Sequence, residues 1–155
     1  RMSNRKSQEV TLGLGSNLGD KKENIENAIK EIAATIGDIA IKSSQIETAP
    51  WGNISQENFI NCCLTVNTYL TPTECLKTCL NIEANLGRAR DNQVHWGPRI
   101  IDIDILFYNE LILNSDQLII PHPFLHERDF VLQSLKEICP DKVHPIINKT
   151  ISELL

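Results

Sequence analysis

From Ile101 to Ile105 the chain alternates apolar and acidic residues: Ile101, Asp102, Ile103, Asp104, Ile105. A period of two is that of a β-strand with one buried face. The three isoleucines then point one way and the two aspartates the other, their Cα atoms about 7 Å apart. Val10–Leu14 is a second, shorter apolar run. After it, Ile25, Ala28, Ile29, Ile32, Ala33 and Ile36 recur at helical spacing, which predicts an amphipathic helix from about Asp20 to Ile36, capped by Gly37. Ile39–Ile46 alternates and reads as one strand, and Phe59–Leu70 reads as a long one interrupted by Asn61 and Asn67. Thr71-Pro72-Thr73-Glu74 is a helix start, with Thr as N-cap, Pro at the first position and Glu at the third. That helix runs to about Leu86 and stops at Gly87.

Beyond the Asp-x-Asp strand, Leu111–Leu113 and Gln117–Ile120 form a small hairpin across Asn114-Ser115-Asp116. Pro121-His122-Pro123 begins a new segment in which Phe130-Val131-Leu132 reads as a strand and Gln133–Cys139 as a short helix. Thr150-Ile151-Ser152-Glu153 is a further helix start. The order is β-α-β-β-α-β with a C-terminal extension. It predicts an α+β, ferredoxin-like sandwich with a mostly antiparallel sheet, helices on one face and the acidic pair on a central strand. Residues 1–8 are polar and expected to be a disordered lead; 9–155 read as a single domain.

Composition narrows the function classes. A formal net charge of −5 argues against a general binder of nucleic acid or anionic membrane. No run approaches the roughly 18 apolar residues of a membrane span. The five cysteines, Cys62, Cys63, Cys75, Cys79 and Cys139, are odd in number and mostly inside apolar patterns. Buried thiols in a reducing cytoplasm fit this better than a disulfide framework. Cys75 and Cys79 are read as core packing.

Two carboxylates as close as Asp102 and Asp104 repel unless a cation joins them, and Mg²⁺, which takes hard oxygen ligands, is the natural one. The competing reading is a solvated face paired to surface Lys or Arg. Arg88, Arg90 and Arg99 lie nearby in the sequence, around a polar loop (89–95) that reads as a lid. Trp51 and Trp96 sit in loops, Trp51 either as a binding residue or as a lid on the core. Asn61, a polar amide in an apolar strand, must find a partner in protein or ligand. His122 and His126 have helical metal-ligand spacing, but Pro123 makes His122 pre-helical. Gly13–Asp20 lacks the Gly-Lys-Ser/Thr ending of a P-loop and marks only a sharp strand-to-helix turn with close backbone approach. Arginines and Mg²⁺ neutralise phosphates, and aromatic faces sandwich a flat heterocycle. The combination points to phosphoryl-type transfer from a nucleotide to a planar substrate. The residues alone leave transfer of one phosphoryl group and of two both open. A non-enzymatic ligand-binding module is the rival, and it leaves the joint occurrence of Trp96, Arg99, Asp102 and Asp104 unexplained.

Gly13–Asp20, Glu47–Gly52, Phe59-Ile60-Asn61, Gly87-Arg88-Ala89-Arg90, Trp96–Leu106 and Pro121–Leu132, in this order, carry a resemblance. The chain resembles the 6-hydroxymethyl-7,8-dihydropterin pyrophosphokinase family over nearly its whole length from Val10. The resemblance implies transfer of the β,γ-pyrophosphoryl group of ATP to the pterin hydroxymethyl oxygen, with AMP released, in folate biosynthesis. It implies two Mg²⁺ ions on Asp102 and Asp104, with ATP as co-substrate. Arg88 and Arg99 join the aspartates in the chemical step, and Glu83, Arg90, Arg99, Ile105, His122 and Arg128 face ATP. Thr48, Ala49, Trp51, Phe59, Asn61, Trp96 and Phe130 bind the pterin, with Trp96 and Phe130 stacking on it. Fusion to, or coupling with, dihydropteroate synthase is a further expectation, so a free-standing enzyme and one domain of a longer protein are both open. Two departures stand out. Ala49 replaces a common proline, and Gln133-Ser134-Leu135 stands where Pro-Leu is usual; both predict altered loop rigidity rather than lost activity.

Overall fold

β1 (Gln8–Ser16) lies between two antiparallel neighbours, β4 (Phe59–Thr68) and β5 (Asp102–Tyr108). The computed structural model describes residues 5–49, 57–87 and 100–155. In chain order the remaining elements are α1 (Lys21–Thr35), β2 (Gly37–Lys42), β3 (Ile46–Thr48), α2 (Pro72–Leu86), the short strands β6 (Leu113–Asn114) and β7 (Ile119–Ile120), α3 (Asp129–Ile138) and α4 (Ile151–Leu154). The main sheet runs β2-β4-β1-β5, with β3 also paired to β4. This is the ferredoxin-like order that the β-α-β-β-α-β reading predicts.

The helix starts follow from local chemistry. Thr71 accepts from Glu74 N–H while Glu74 accepts from Thr71 N–H, a complete capping box, and Thr150 with Glu153 repeats it. Asp20 caps α1 by accepting from Glu23 N–H. Gly37, expected as the C-cap of α1, instead opens β2, and the cap is Ile36. Its missing side chain has another reason: a Cβ there would lie 1.9 Å from the Asn67 carbonyl oxygen of β4.

Two apolar clusters sandwich the sheet. Val10, Leu12, Leu14, Leu64, Val66, Ile103 and Ile105 face Ile25, Ala28 and Ile32 of α1 and Cys75, Cys79 and Ile82 of α2. On the opposite face Cys63, Leu106 and Phe107 meet Leu132, Leu135 and Ile138 of α3, with Leu125 and Ile151. The helices are therefore not confined to one face: the C-terminal extension covers part of the other. A β-bulge makes this possible. Leu12 pairs with Ile105 and Thr11 with Phe107, so Leu106 is the extra residue, and Leu106 and Phe107 both reach the second cluster.

Other sequence expectations are corrected here. The strand predicted over Ile39–Ile46 breaks into β2 and β3. At the break Ser43 exchanges hydrogen bonds with Cys63, and Ser44 is held by Glu137 of α3. Phe130-Val131-Leu132 is helical, because Leu132, Leu135 and Ile138 bury one stripe of α3. The hairpin is shorter than predicted, Leu113–Asn114 with Ile119–Ile120. Among the described residues β5 is an edge strand, since β1 and not β5 holds the position between two partners. Of the expected disordered lead, Gln8 belongs to β1, and the Arg5 guanidinium donates to Glu74 at 2.6 Å and to the Tyr69 carbonyl. No helix among the described residues is long and apolar enough to cross a membrane.

Candidate active site

In an antiparallel sheet, residues directly opposite share a face. Asp102 pairs with Gly15, and Gly15 with Asn61; Asp104 pairs with Gly13, and Gly13 with Cys63. Asp102 and Asn61 thus stand on one face of the sheet, two strand spacings or about 10 Å apart. Between them, among the described residues, β1 contributes only the backbone of Gly15. Across the sheet, the Asn61 side-chain amide donates to the Thr48 hydroxyl of β3, and Thr48 is the pairing partner of Phe59. The predicted pterin residues Thr48, Phe59 and Asn61 are therefore brought together, with exposed Ala49 just beyond β3.

The edge position of β5 lets two other segments reach it. Glu83, in the last turns of α2, accepts the Ile103 N–H at 2.7 Å. The bulge residue Leu106 accepts the N–H of His122 at 3.0 Å. These two bonds satisfy backbone groups that an edge strand turns away from its neighbour. They also bring Glu83 and His122 to the acidic strand.

Asp102 and Asp104 are half-buried. An Arg128 guanidinium nitrogen lies 4.0 Å from the Asp104 carboxylate, and the same guanidinium sits 5.8 Å from the Phe124 ring centroid. His122 Nδ1 accepts from Phe124 N–H at 3.2 Å, so a neutral ring carries its proton on Nε2. Burial pushes the His122 imidazole below its ordinary value; Asp104 acts the other way, and Arg128 adds to the lowering. Burial thus favours the neutral imidazole of His122, whose Nε2–H is then a donor. His122 and His126 do not share a helix, since His122 precedes the turn Leu125–Glu127.

Ile105 is buried in the helix-side cluster, on the face opposite Asp104, which leaves only its backbone for a ligand. Phe130 is half-buried in the first turn of α3. Trp51, Arg88, Arg90, Trp96 and Arg99, together with loop 89–95, lie outside the described residues. Among the described residues, no group of three or more His, Cys, Asp or Glu could hold a metal ion. Two aspartates are nonetheless a hard oxygen donor set suited to Mg²⁺, which commonly completes its shell with water and substrate phosphates.

The close backbone approach expected at Gly13–Asp20 is found at the Gly-x-Gly of β1, but sequence reasoning did not name Asn61 as what approaches. The signal was present, because two glycines at strand period remove side chains from one face only. Sequence reasoning also missed how the β1–α1 turn is tied to the start of β4. There the Asn17 amide donates to the Glu57 carbonyl at 3.2 Å and Lys21 Nζ to the Asn58 carbonyl at 3.1 Å.

The fold is a small α+β sandwich, and matches to known proteins supply its class, a transferase of the phosphoryl-transfer type. Residues 11–140 match the family model of 7,8-dihydro-6-hydroxymethylpterin-pyrophosphokinase, and the chain belongs to that family. A 2-amino-4-hydroxy-6-hydroxymethyldihydropteridine pyrophosphokinase of Methylorubrum extorquens is 45% identical, over 93% of this chain and 89% of that protein. The folic acid synthesis protein of Dictyostelium discoideum is 41% identical over 98% of this chain, which corresponds to 23% of that longer protein. Among solved structures, wild-type HPPK-DHPS of Plasmodium falciparum superimposes with a TM-score of 0.76 at 20% identity, covering 99% of this chain and 42% of that one. This last likeness concerns the fold.

Proposed function

We propose that the chain transfers the pyrophosphoryl group of ATP to the hydroxymethyl oxygen of 6-hydroxymethyl-7,8-dihydropterin, giving the pterin diphosphate and AMP in folate biosynthesis. The observation that carries this is the family match over residues 11–140. The face of β5 and β1 described above supports it chemically.

Asp102 and Asp104 would hold Mg²⁺, two ions in our reading, beside the phosphates of ATP. Bound there, the metal would offset phosphate charge and polarise the phosphorus under attack. Arg128, close to Asp104, contributes fixed positive charge on the same side, and the Nε2–H of neutral His122 donates to a phosphate oxygen. Glu83 acts at least in part by holding β5 in place. Arg88, Arg90 and Arg99 are assigned to ATP and the chemical step by family resemblance, as are Trp51, Trp96 and Phe130 to the pterin. Asn61 reads the ring edge. The hydroxymethyl oxygen forms its bond to the β-phosphorus and gives up its proton to solvent water as the bond from that phosphorus to the α,β-bridging oxygen breaks, and AMP leaves with that oxygen. Positioning and electrostatics carry most of the rate. The product is an alkyl diphosphate, an activated electrophile. This supports coupling to a synthase that displaces diphosphate, and a cytoplasmic setting suits ATP and free thiols.

The test is incubation with ATP, Mg²⁺ and the pterin, with quantification of AMP, ADP and pterin diphosphate. AMP formed only when all three are present is the expected result. ADP in place of AMP would overturn attack at the β-phosphorus, and absence of turnover would overturn the assignment.

A further inference from the structure

We propose that Gly15 is a positioning residue for the pterin, acting with Thr48 to hold the plane of the Asn61 amide; the inference rests on the pterin reading above. Gly15 is buried in the middle of the sheet, opposite Asn61 on one side and Asp102 on the other. Glycine is a poor strand residue because it packs nothing and loses the most backbone entropy. Two reasons normally justify it: an unusual backbone angle or a close approach. Gly15 is not among the positive-φ residues, so alanine could adopt its backbone. The reason is therefore space.

What occupies that space is the candidate pterin site. A Cβ on Gly15 would lie 2.7 Å from Asn61 Oδ1, 3.3 Å from Phe59 Cδ1 and 3.8 Å from Asn61 Cγ. The first distance is closer than real Cβ contacts come, so the amide can lie down over β1 only because residue 15 is glycine. At its other end the amide donates from Nδ2 to the Thr48 hydroxyl. A bare floor at one end and a hydroxyl at the other fix the plane of a side chain whose terminal torsion is otherwise broad. An amide with a fixed plane offers its second N–H and its oxygen side by side. That pair complements the adjacent acceptor and N–H of a 2-amino-4-oxo ring such as a pterin. A Cβ at position 15 would lift the amide off the floor and away from Thr48. The ring would then meet a misdirected partner, while Asp102, across β1, keeps its place.

The experiment measures pterin affinity by calorimetry in the presence of Mg²⁺ and a non-hydrolysable ATP analogue, with KM and kcat alongside. Gly15→Ala is expected to weaken pterin binding roughly ten- to hundredfold, the scale of a misdirected buried hydrogen-bonding group, and to leave affinity for the analogue unchanged. In an Asn61→Ala background the same substitution is expected to add less than about twofold, because the contact through which it acts is gone. Thr48→Val should weaken pterin binding, and Thr48→Ser should restore it. Wild-type pterin affinity in Gly15→Ala would overturn the inference, as would an equal loss in both backgrounds or a parallel loss of the ATP analogue. Should Gly15→Ala fail to fold, equal pterin affinity in Thr48→Val and Thr48→Ser would overturn it. Pterin binding absent from the wild-type protein itself would instead overturn the functional reading, and this inference with it.

Discussion

The Glu83 carboxylate on α2 accepts the N–H of Ile103 at 2.7 Å, and Ile103 stands between Asp102 and Asp104. One bond thus anchors the strand that carries both candidate metal ligands. Hydrogen bonds to charged groups contribute more than neutral ones, about 1.5–3 kcal/mol. Glu83→Ala is therefore expected to lower stability by about that amount and to reduce turnover together with it. Glu83→Gln keeps an oxygen acceptor and should recover most of the stability. Thermal unfolding checks the first part and AMP release the second. A Glu83→Ala protein with wild-type stability would mean that the Glu83 bond adds nothing to what β1 and His122 already do for β5.

Asp102→Asn and Asp104→Asn are nearly isosteric and remove one negative charge each. Both side chains are half-buried on the sheet surface rather than in the core, so the fold should persist. Turnover should fall by at least about a hundredfold, in line with the loss of one precisely placed electrostatic group. Mg²⁺ dependence should also shift to higher concentration in whichever variant retains activity. Steady-state AMP release across a Mg²⁺ series, with circular dichroism as the folding control, tests this. Near-normal turnover in both variants would refute the metal assignment.

Some of this was legible in the sequence, and the split follows the range of the interactions involved. Thr71, Pro72 and Glu74 start α2 through contacts three residues apart, so the signal is local and complete. The Ile-Asp alternation of β5 likewise reports one buried face. The break between β2 and β3 depends on Ser44 meeting Glu137, 93 positions away, and no local pattern encodes it. The start of α3 at Asp129 has no side-chain cap, since Arg128 makes none. The helix is specified by the stripe Leu132, Leu135 and Ile138 against a sheet face whose availability the sequence does not announce. The edge position of β5 is a property of strand order. In the site, charged residues were legible as chemistry. For Gly13 and Gly15 only a close backbone approach was legible; what approaches was not, because a missing side chain matters only once its neighbours are known.

His144 is expected to make stability pH-dependent. Its Nδ1 accepts from both Ile146 and Ile147 N–H at 3.2 Å, and its ring lies 6.0 Å from those of Phe107 and His126. Burial, and secondarily His126, hold its pKa below the ordinary 6.5. Protonation would turn the Nδ1 acceptor into a donor facing two N–H groups. A group with a depressed folded pKa contributes stability that is fully present above the unfolded value and lost as pH falls through the folded one. Stability should therefore decline as pH drops below about 6.5. His122, also depressed, adds to this with the same sign. Glu74 and Glu153, lowered from 4.5 by hydrogen bonds to Thr71 and Thr150, act only further down the pH scale. His144→Asn keeps an acceptor that does not titrate, and its urea midpoint should vary less between pH 7 and pH 5 than that of the wild type. Equal slopes would remove His144 from the account.

The five cysteines should be chemically quiet in the folded protein. Cys62, Cys63, Cys75 and Cys79 are buried and Cys139 is half-buried, all as free thiols. Burial pushes Cys62 and Cys79 up to about 12 and Cys75 and Cys139 up to about 11, and it raises Cys63 as well. The thiolate is the nucleophile, so raised pKa and restricted access act in the same direction. Lys142 pulls Cys139 back toward its ordinary value, and Cys139 is the one thiol not fully buried. At neutral pH, modification by a small aromatic disulfide should be slower than in denaturant by at least about a hundredfold, with Cys139 reacting first. Time-resolved labelling followed by peptide mass analysis gives the order. Rapid reaction at Cys62 or Cys79 in the native state would show that the sheet-to-helix core opens far more readily than its packing implies.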